Sequence, residues 1–337
     1  MRLKKHLFIL LVLILANEKY GIAQTLEGAI NLQGFVDNRE YAKSNRYSPT
    51  YFGTRFSPEI GLLIDSVHRF RVGVNALKEF GSKEFIDKID PVIYYQYKKQ
   101  NNTFFIGAFP RLGLIDDYPI ALLSDTLNYF RPNIEGMLYQ YQTKSFKQNI
   151  WIDWTGKQTA TDRETFLFGL SGKYQPGMFY IRHHAYMFHN ALSAISPPNQ
   201  HLEDNGAAQL QLGLDFGKIA FLDSLTISAG PMISVERTRN VTGTQTPKGF
   251  ITYLYAGYKQ FHLKNTFYAG KGHNLINGDV FYSAEQYDRL DLGWTPISYK
   301  NVEGGFVFSF HFLNNIIDSQ QAFSLRYNIS GSKNLKR

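Results

Sequence analysis

The segment Ala207-Ala208-Gln209-Leu210-Gln211-Leu212-Gly213-Leu214-Asp215-Phe216 alternates between two kinds of side chain. Ala208, Leu210, Leu212, Leu214 and Phe216 share one face of an extended chain, and Gln209, Gln211, Gly213 and Asp215 share the other. A period of two marks a β-strand whose two faces meet different surroundings. The pattern recurs along the chain. Phe306, Phe308, Phe310 and Phe312 oppose Gly305, Val307, Ser309 and His311, and Phe70, Val72, Val74 and Ala76 oppose Arg69, Arg71, Gly73 and Asn75. It also appears with Ile150, Ile152 and Trp154 against Asn149, Trp151 and Asp153, and with Phe323, Leu325, Tyr327 and Ile329 against Ser324, Arg326 and Asn328. Helical periodicity is scarce after Thr25, so the chain reads as all-β.

Composition restricts the surroundings. The 337 residues are 19% charged and 15% aromatic, too apolar for a disordered chain and too charged for a bundle of membrane helices. The absence of cysteine excludes disulfide scaffolds, thiolate metal sites, a Cys nucleophile and a lipid-modified N-terminal cysteine. The formal charge of +8 is concentrated at the ends: Arg2, Lys4, Lys5 and Lys19 precede residue 24, and Lys333, Lys336 and Arg337 close the chain. The body is nearly balanced, which argues against a nucleic-acid partner.

Residues 1–23 carry a basic start, the apolar run Leu7 to Ala16 and the small residues Gly21-Ile22-Ala23, the pattern of a cleaved secretory signal peptide. No later apolar run approaches the length of a membrane helix. The exported chain is therefore soluble or crosses a membrane as strands. Both a soluble sandwich and a membrane barrel alternate. Three features favour the barrel. Short links near Asp65 to Val67, Lys98 to Asn102, Thr143 to Lys147, Tyr174 to Gly177, Gly217 to Asp223, Lys259 to His262 and Tyr299 to Asn301 alternate with longer ones, the last of these being Leu313 to Gln321. That count gives about sixteen strands, in a range of about 14 to 18, each of roughly ten spanning residues. Tyrosines and phenylalanines also gather at segment ends, as at Tyr94-Tyr95-Gln96-Tyr97, where an interfacial girdle would lie.

With these residues in view, the sequence resembles a Gram-negative outer-membrane porin-like barrel. The resemblance implies a transmembrane antiparallel up-and-down β-barrel over residues 24–330, followed by a basic tail at 331–337. It implies insertion in the cell outer membrane by the barrel-assembly machinery. The surroundings would be outer-membrane lipid and lipopolysaccharide, with small solutes in the lumen, and assembly as a homo-oligomer is compatible with it. The basic tail departs from the usual ending on an aromatic residue in the last strand.

With polar faces inward, the lumen would present Arg55, Glu59, Arg69, Arg71, Asp153, Arg163, Lys173, Arg182, His184, Asp215, Glu236, Glu303, His311 and Arg326. Such a mixed lining slightly favours anions or neutral solutes. The long connection Arg111 to Pro132 has an apolar centre, Leu112, Leu114, Ile115, Ile120, Leu122 and Leu123, and is expected to fold against something. In porins the third external loop narrows the barrel. By that resemblance Asp116 and Asp117 would stand at a constriction opposite inward arginines.

The first expectation is thus a passive channel without enzymatic activity, whose width is set by loop 111–132. The alternatives are a non-conducting surface receptor, adhesin or scaffold, an outer-membrane lipid hydrolase, and a secreted soluble β protein. The hydrolase reading rests on His189 and Ser193, which match no spacing of a known motif. His183, His184, His189 and His201 cluster in sequence, but His183 and His184 point to opposite faces of a strand, so no metal site is expected. Gly270-Lys271-Gly272 lacks the ending of a phosphate loop, and no cofactor pattern is present. Asp65-Ser66-Val67, Asp125-Thr126-Leu127 and Asp223-Ser224-Leu225 match an Asp-Ser/Thr-apolar O-glycosylation sequon, yet serve equally as turn residues.

Overall fold

The computed structural model describes residues 24–115 and 117–335. Residues 1–23, expected from the sequence to be a signal peptide, and Asp116 lie outside the described residues. Sixteen antiparallel strands close into one barrel in up-and-down order. They are β1 Gln24–Glu40, β2 Thr50–Ile64, β3 His68–Glu79, β4 Lys88–Lys99, β5 Asn102–Pro110, β6 Asn133–Gln142, β7 Phe146–Gly156 and β8 Thr165–Tyr174. The second half comprises β9 Phe179–Asn190, β10 Glu203–Ile219, β11 Leu222–Thr238, β12 Lys248–Tyr258, β13 Phe261–Gly270, β14 Gln286–Tyr299, β15 Val302–Leu313 and β16 Ile316–Asn334. Helix α1 (Thr126–Phe130) and two short 3-10 turns complete the described structure. No described helix is long and apolar enough to cross a membrane.

Alternation decides which way each side chain points. Leu210, Leu212, Phe70, Val72, Phe308, Leu325 and Ile329 are exposed on the outer wall, as lipid-facing residues must be, while Gln209 and Gln211 are buried inside. Backbone groups within the membrane are satisfied strand to strand around the closed ring. At one end the turns are tight. Asp65 and Ser66, Gln100, Lys259 and Lys300 adopt the left-handed backbone that such turns require.

Two expectations change. The connection after β15 is not a long loop: Asn314 and Asn315 both take positive φ and form a two-residue turn, so pairing resumes at Ile316. Asparagine tolerates that conformation better than most residues. The final strand also runs through Asn334, because Gly331 to Asn334 pair in register with Thr25 to Gly28 of β1. The first four residues of the expected tail therefore belong to the barrel seam.

Four inward aromatic rings lie on glycines of a neighbouring strand: Trp151 on Gly169, Tyr180 on Gly213, Tyr268 on Gly249 and His262 on Gly293. A Cβ at Gly169 would stand 2.1 Å from the Trp151 ring, so only glycine gives that ring its place.

Candidate functional site: the occupied lumen

Loop 111–132 enters the barrel. Ile115, Tyr118, Ala121, Leu122 and Leu123 are all buried and pack against the inward residues Phe109, Leu138, Trp151, Leu167, Tyr186 and Met232. Fully burying a leucine is worth about 1.5–3 kcal/mol, so the apolar centre that would be costly in water drives docking here. Polar anchors fix the direction. The Arg111 guanidinium donates to Asp153 at 2.5 Å and to the Arg131 and Asn133 carbonyls. Tyr118 donates to the Ala185 carbonyl at 2.9 Å and accepts from Trp151 Nε1 at 3.1 Å. Arg39 bridges Asp37 and Asp125, and Arg55 donates to the carbonyls of Asn128 and Tyr129 in α1.

A second segment, residues 271–285, completes the plug. Phe281 and Tyr282 are buried, with Phe281 stacked on His311 at 4.2 Å. His273 and Ser234 lie in hydrogen-bond contact at 2.7 Å, while Ser234 donates to Glu236 at 3.0 Å. The two plug segments are joined directly, since Ser124 N donates to the Asn277 carbonyl at 2.7 Å and Asp279 N to the Ile120 carbonyl at 2.9 Å. Burial pushes the His273 imidazole below its usual range, against a smaller opposing effect from Glu236. In the sequence, 271–288 reads only as one of the longer links between strands.

Of the expected constriction acids, Asp117 faces the buried imidazole of His184 at 3.6 Å. Burial raises the Asp117 carboxyl, but His184 and, more weakly, Lys147 and Arg182 outweigh it and hold the group below the usual carboxylate range. Arg69 and Arg71 line the lumen and converge on Glu27 at 2.8 and 2.9 Å, and Arg71 also reaches Glu59 at 3.7 Å. Arg182 points inward over the Tyr180 ring, which also carries Lys173. Arg163 corrects the inward list: β8 begins only at Thr165, so Arg163 sits in the preceding loop, bound to the Asn190 and Ala191 carbonyls and to Glu203. Arg55 and Arg326 border a cavity of about 280 Å³ beside the docked loop, with Asn31, Gln33, Ser57 and Glu59.

On the outer wall, at the long-loop rim, a second constellation appears. His189 Nδ1 lies 2.9 Å from Asp204 Oδ1, and Arg239 donates to Asp204 Oδ2 at 3.0 Å. This pairing fixes the ring orientation and leaves Nε2 as the acceptor. The Phe166 ring stands 5.1 Å from the imidazole. Ser193 does not join: its hydroxyl is held by Gln200 and the Ile195 carbonyl. His183 and His184 occupy opposite faces, and His201 lies in the loop before β10.

The closed sixteen-strand ring, apolar outside and polar or plugged inside, is that of a porin-like outer-membrane β-barrel. The chain belongs to the lipid A 3'-O-deacylase-type family, whose model matches residues 16–330. No curated protein matches the sequence. Among solved structures it is similar to a loop L8 deletion mutant of OmpT, an outer membrane protein of Vibrio cholerae, with a TM-score of 0.57, 10% identity, and 91% of this chain and 100% of that chain covered. It is also similar to Pseudomonas aeruginosa OccK11 (OpdR), with a TM-score of 0.55, 10% identity and coverage of 91% and 96%. A third is P. aeruginosa OprD, with a TM-score of 0.54, 9% identity and coverage of 90% and 95%.

Proposed function

We propose that the protein is a narrow outer-membrane channel that passes small solutes passively along one side of its lumen. The observation that carries this reading is the cavity beside loop 111–132: the loop fills one flank of the barrel with an apolar core, while the wall of β16, β1 and β2 keeps charged and amide side chains facing open space. An interior meant only to be rigid would gain by packing apolar side chains there too. The inward cations without carboxylate partners favour anionic or neutral solutes. Single-channel recording of the folded protein in a planar bilayer tests the reading. Small, steady openings whose reversal potential under a salt gradient reports anion preference are expected, and persistent silence from folded barrel would overturn it.

A second reading is favoured by family membership together with the rim constellation. His189, oriented by Asp204, faces the outer leaflet, where its Nε2 would take a proton from water attacking a lipid acyl ester, and then return it to the leaving alcohol. Mass spectrometry of lipid A incubated with the folded protein tests it. Loss of an acyl chain that disappears in His189→Ala supports this reading, and an unchanged lipid sinks it.

A further inference from the structure

We infer that the cavity beside loop 111–132 is a binding site for a small organic acid bearing hydroxyl groups, its carboxylate held by Arg326 and Arg55. The inference rests on the channel reading and names the solute class for that lumen. Gln33 of β1 is the register partner of Arg326 on β16 and of Arg55 on β2, so the three inward side chains form one row across the wall. Adjacent strands lie roughly 4.8 Å apart, which sets the two arginine backbones about 10 Å from each other. Two guanidinium groups reaching inward from that spacing can close on one carboxylate, and their planar forks match its two oxygens.

Neither arginine makes an ion pair among the described residues. Arg326 Nε is buried without a hydrogen-bond partner, and Glu303, its register partner on β15, is exposed and makes no ion pair with it among the described residues. Arg55 binds only the carbonyls of Asn128 and Tyr129 among the described residues, which position its guanidinium, and the acid that acts on it, Asp90, is itself paired with Lys88 at 2.8 Å. Glu59, the acid on this wall, is turned toward Arg71 at 3.7 Å. Buried cations in a membrane barrel are costly unless they are paired, and here the place of the counter-charge is the cavity itself. In the next row, the amides of Asn31 and Asn328 and the hydroxyl of Ser57 supply the donors and acceptors that a polyol backbone requires. At about 280 Å³ the space stands at the small end of ligand sites.

Titration calorimetry of the folded barrel in detergent tests the site with D-gluconate, the neutral polyol sorbitol and inorganic phosphate as probes. Gluconate should bind, sorbitol should show no heat, and phosphate should bind more weakly than gluconate. Arg326→Gln should weaken gluconate at least tenfold, and Arg326→Lys should weaken it less. Arg55 is left intact because it anchors α1. Heat-modifiable mobility reports whether each variant is folded; where Arg326→Gln is not, the loss in Arg326→Lys carries the test. No gluconate binding, equal binding of sorbitol, phosphate binding as tight as gluconate, or unchanged affinity in the folded variants would overturn the proposal. Conductance is read separately. A conducting barrel that ignores gluconate refutes this site and leaves the channel standing, whereas a silent barrel that binds gluconate does the reverse.

Discussion

Gly278→Ala should loosen the plug without touching the barrel wall. A Cβ at this position would stand 2.4 Å from the Ala121 carbonyl oxygen and 2.9 Å from Leu275 Cβ. The first contact is with backbone, which cannot turn aside as a flexible side chain could. Loop 111–132 and segment 271–285 must therefore separate by about 1 Å, stretching the bonds from Ser124 N to the Asn277 carbonyl and from Asp279 N to the Ile120 carbonyl. Overpacking of this kind costs about 1–3 kcal/mol, and two weakened hydrogen bonds fall in the same range. At about 1.4 kcal/mol per factor of ten, the undocked population should rise roughly 5- to 140-fold. Single-channel recording reads this as more frequent excursions to a higher conductance level, and limited proteolysis reads it as faster cutting of 111–132. Gly243→Ala is the matched control, because nothing lies within 4 Å of its Cβ position. If Gly278→Ala behaves like that control in both assays, the two segments do not hold each other in place and the plug mechanism is wrong.

Other outcomes follow from neighbouring contacts. Arg111→Gln leaves the Asp153 carboxylate buried without its guanidinium, which should lower the stability of the folded barrel by about 3–5 kcal/mol, measured by urea unfolding in detergent. Gly169→Ala must displace the Trp151 indole, so tryptophan fluorescence should shift to the red, while Gly34→Ala, with an open Cβ position, should leave it unchanged. Because burial depresses His273 below its unfolded value of 6.5, its contribution is fully present above that pH and is lost as pH falls below it. Protease cutting of 271–285 should accordingly increase between pH 7.5 and 5.5, and His273→Gln should flatten that dependence.

The strands were legible because each face of the wall meets a different medium, and that difference is written into alternate residues such as Leu210 and Gln211. The plug was half legible. The apolar run in 111–132 announced that the loop must dock, but its receiving surface was disguised. Trp151 sits between Ile150 and Ile152, so both faces of β7 are apolar there, and a break in alternation is the one signal that an inward position meets protein rather than water. Segment 271–285 gave less, since its apolar residues, Leu275-Ile276 and Val280-Phe281-Tyr282, are split by Asn277-Gly278-Asp279 and neither short run implies an interior partner. The His189 and Asp204 contact joins β9 to β10 and exists only once their register is known. The Arg326, Gln33 and Arg55 row is hidden more deeply, because it crosses the seam between the two ends of the chain.

That seam also governs how the molecule comes into being. β1 and β16 are among the longest strands, with 17 and 19 residues, and they pair continuously from Thr25 with Asn334 to Glu40 with Ser319. Contacts of such sequence separation form late, after nearly all the chain has been ordered. Until then both edges present long rows of unpaired donors and acceptors, each a template for strand addition by another chain. Every local hairpin can form early, yet none of them removes that hazard. Closure must therefore act as a single concluding event, and substitutions that slow it would be felt as lost yield of barrel rather than as altered properties of the barrels that form.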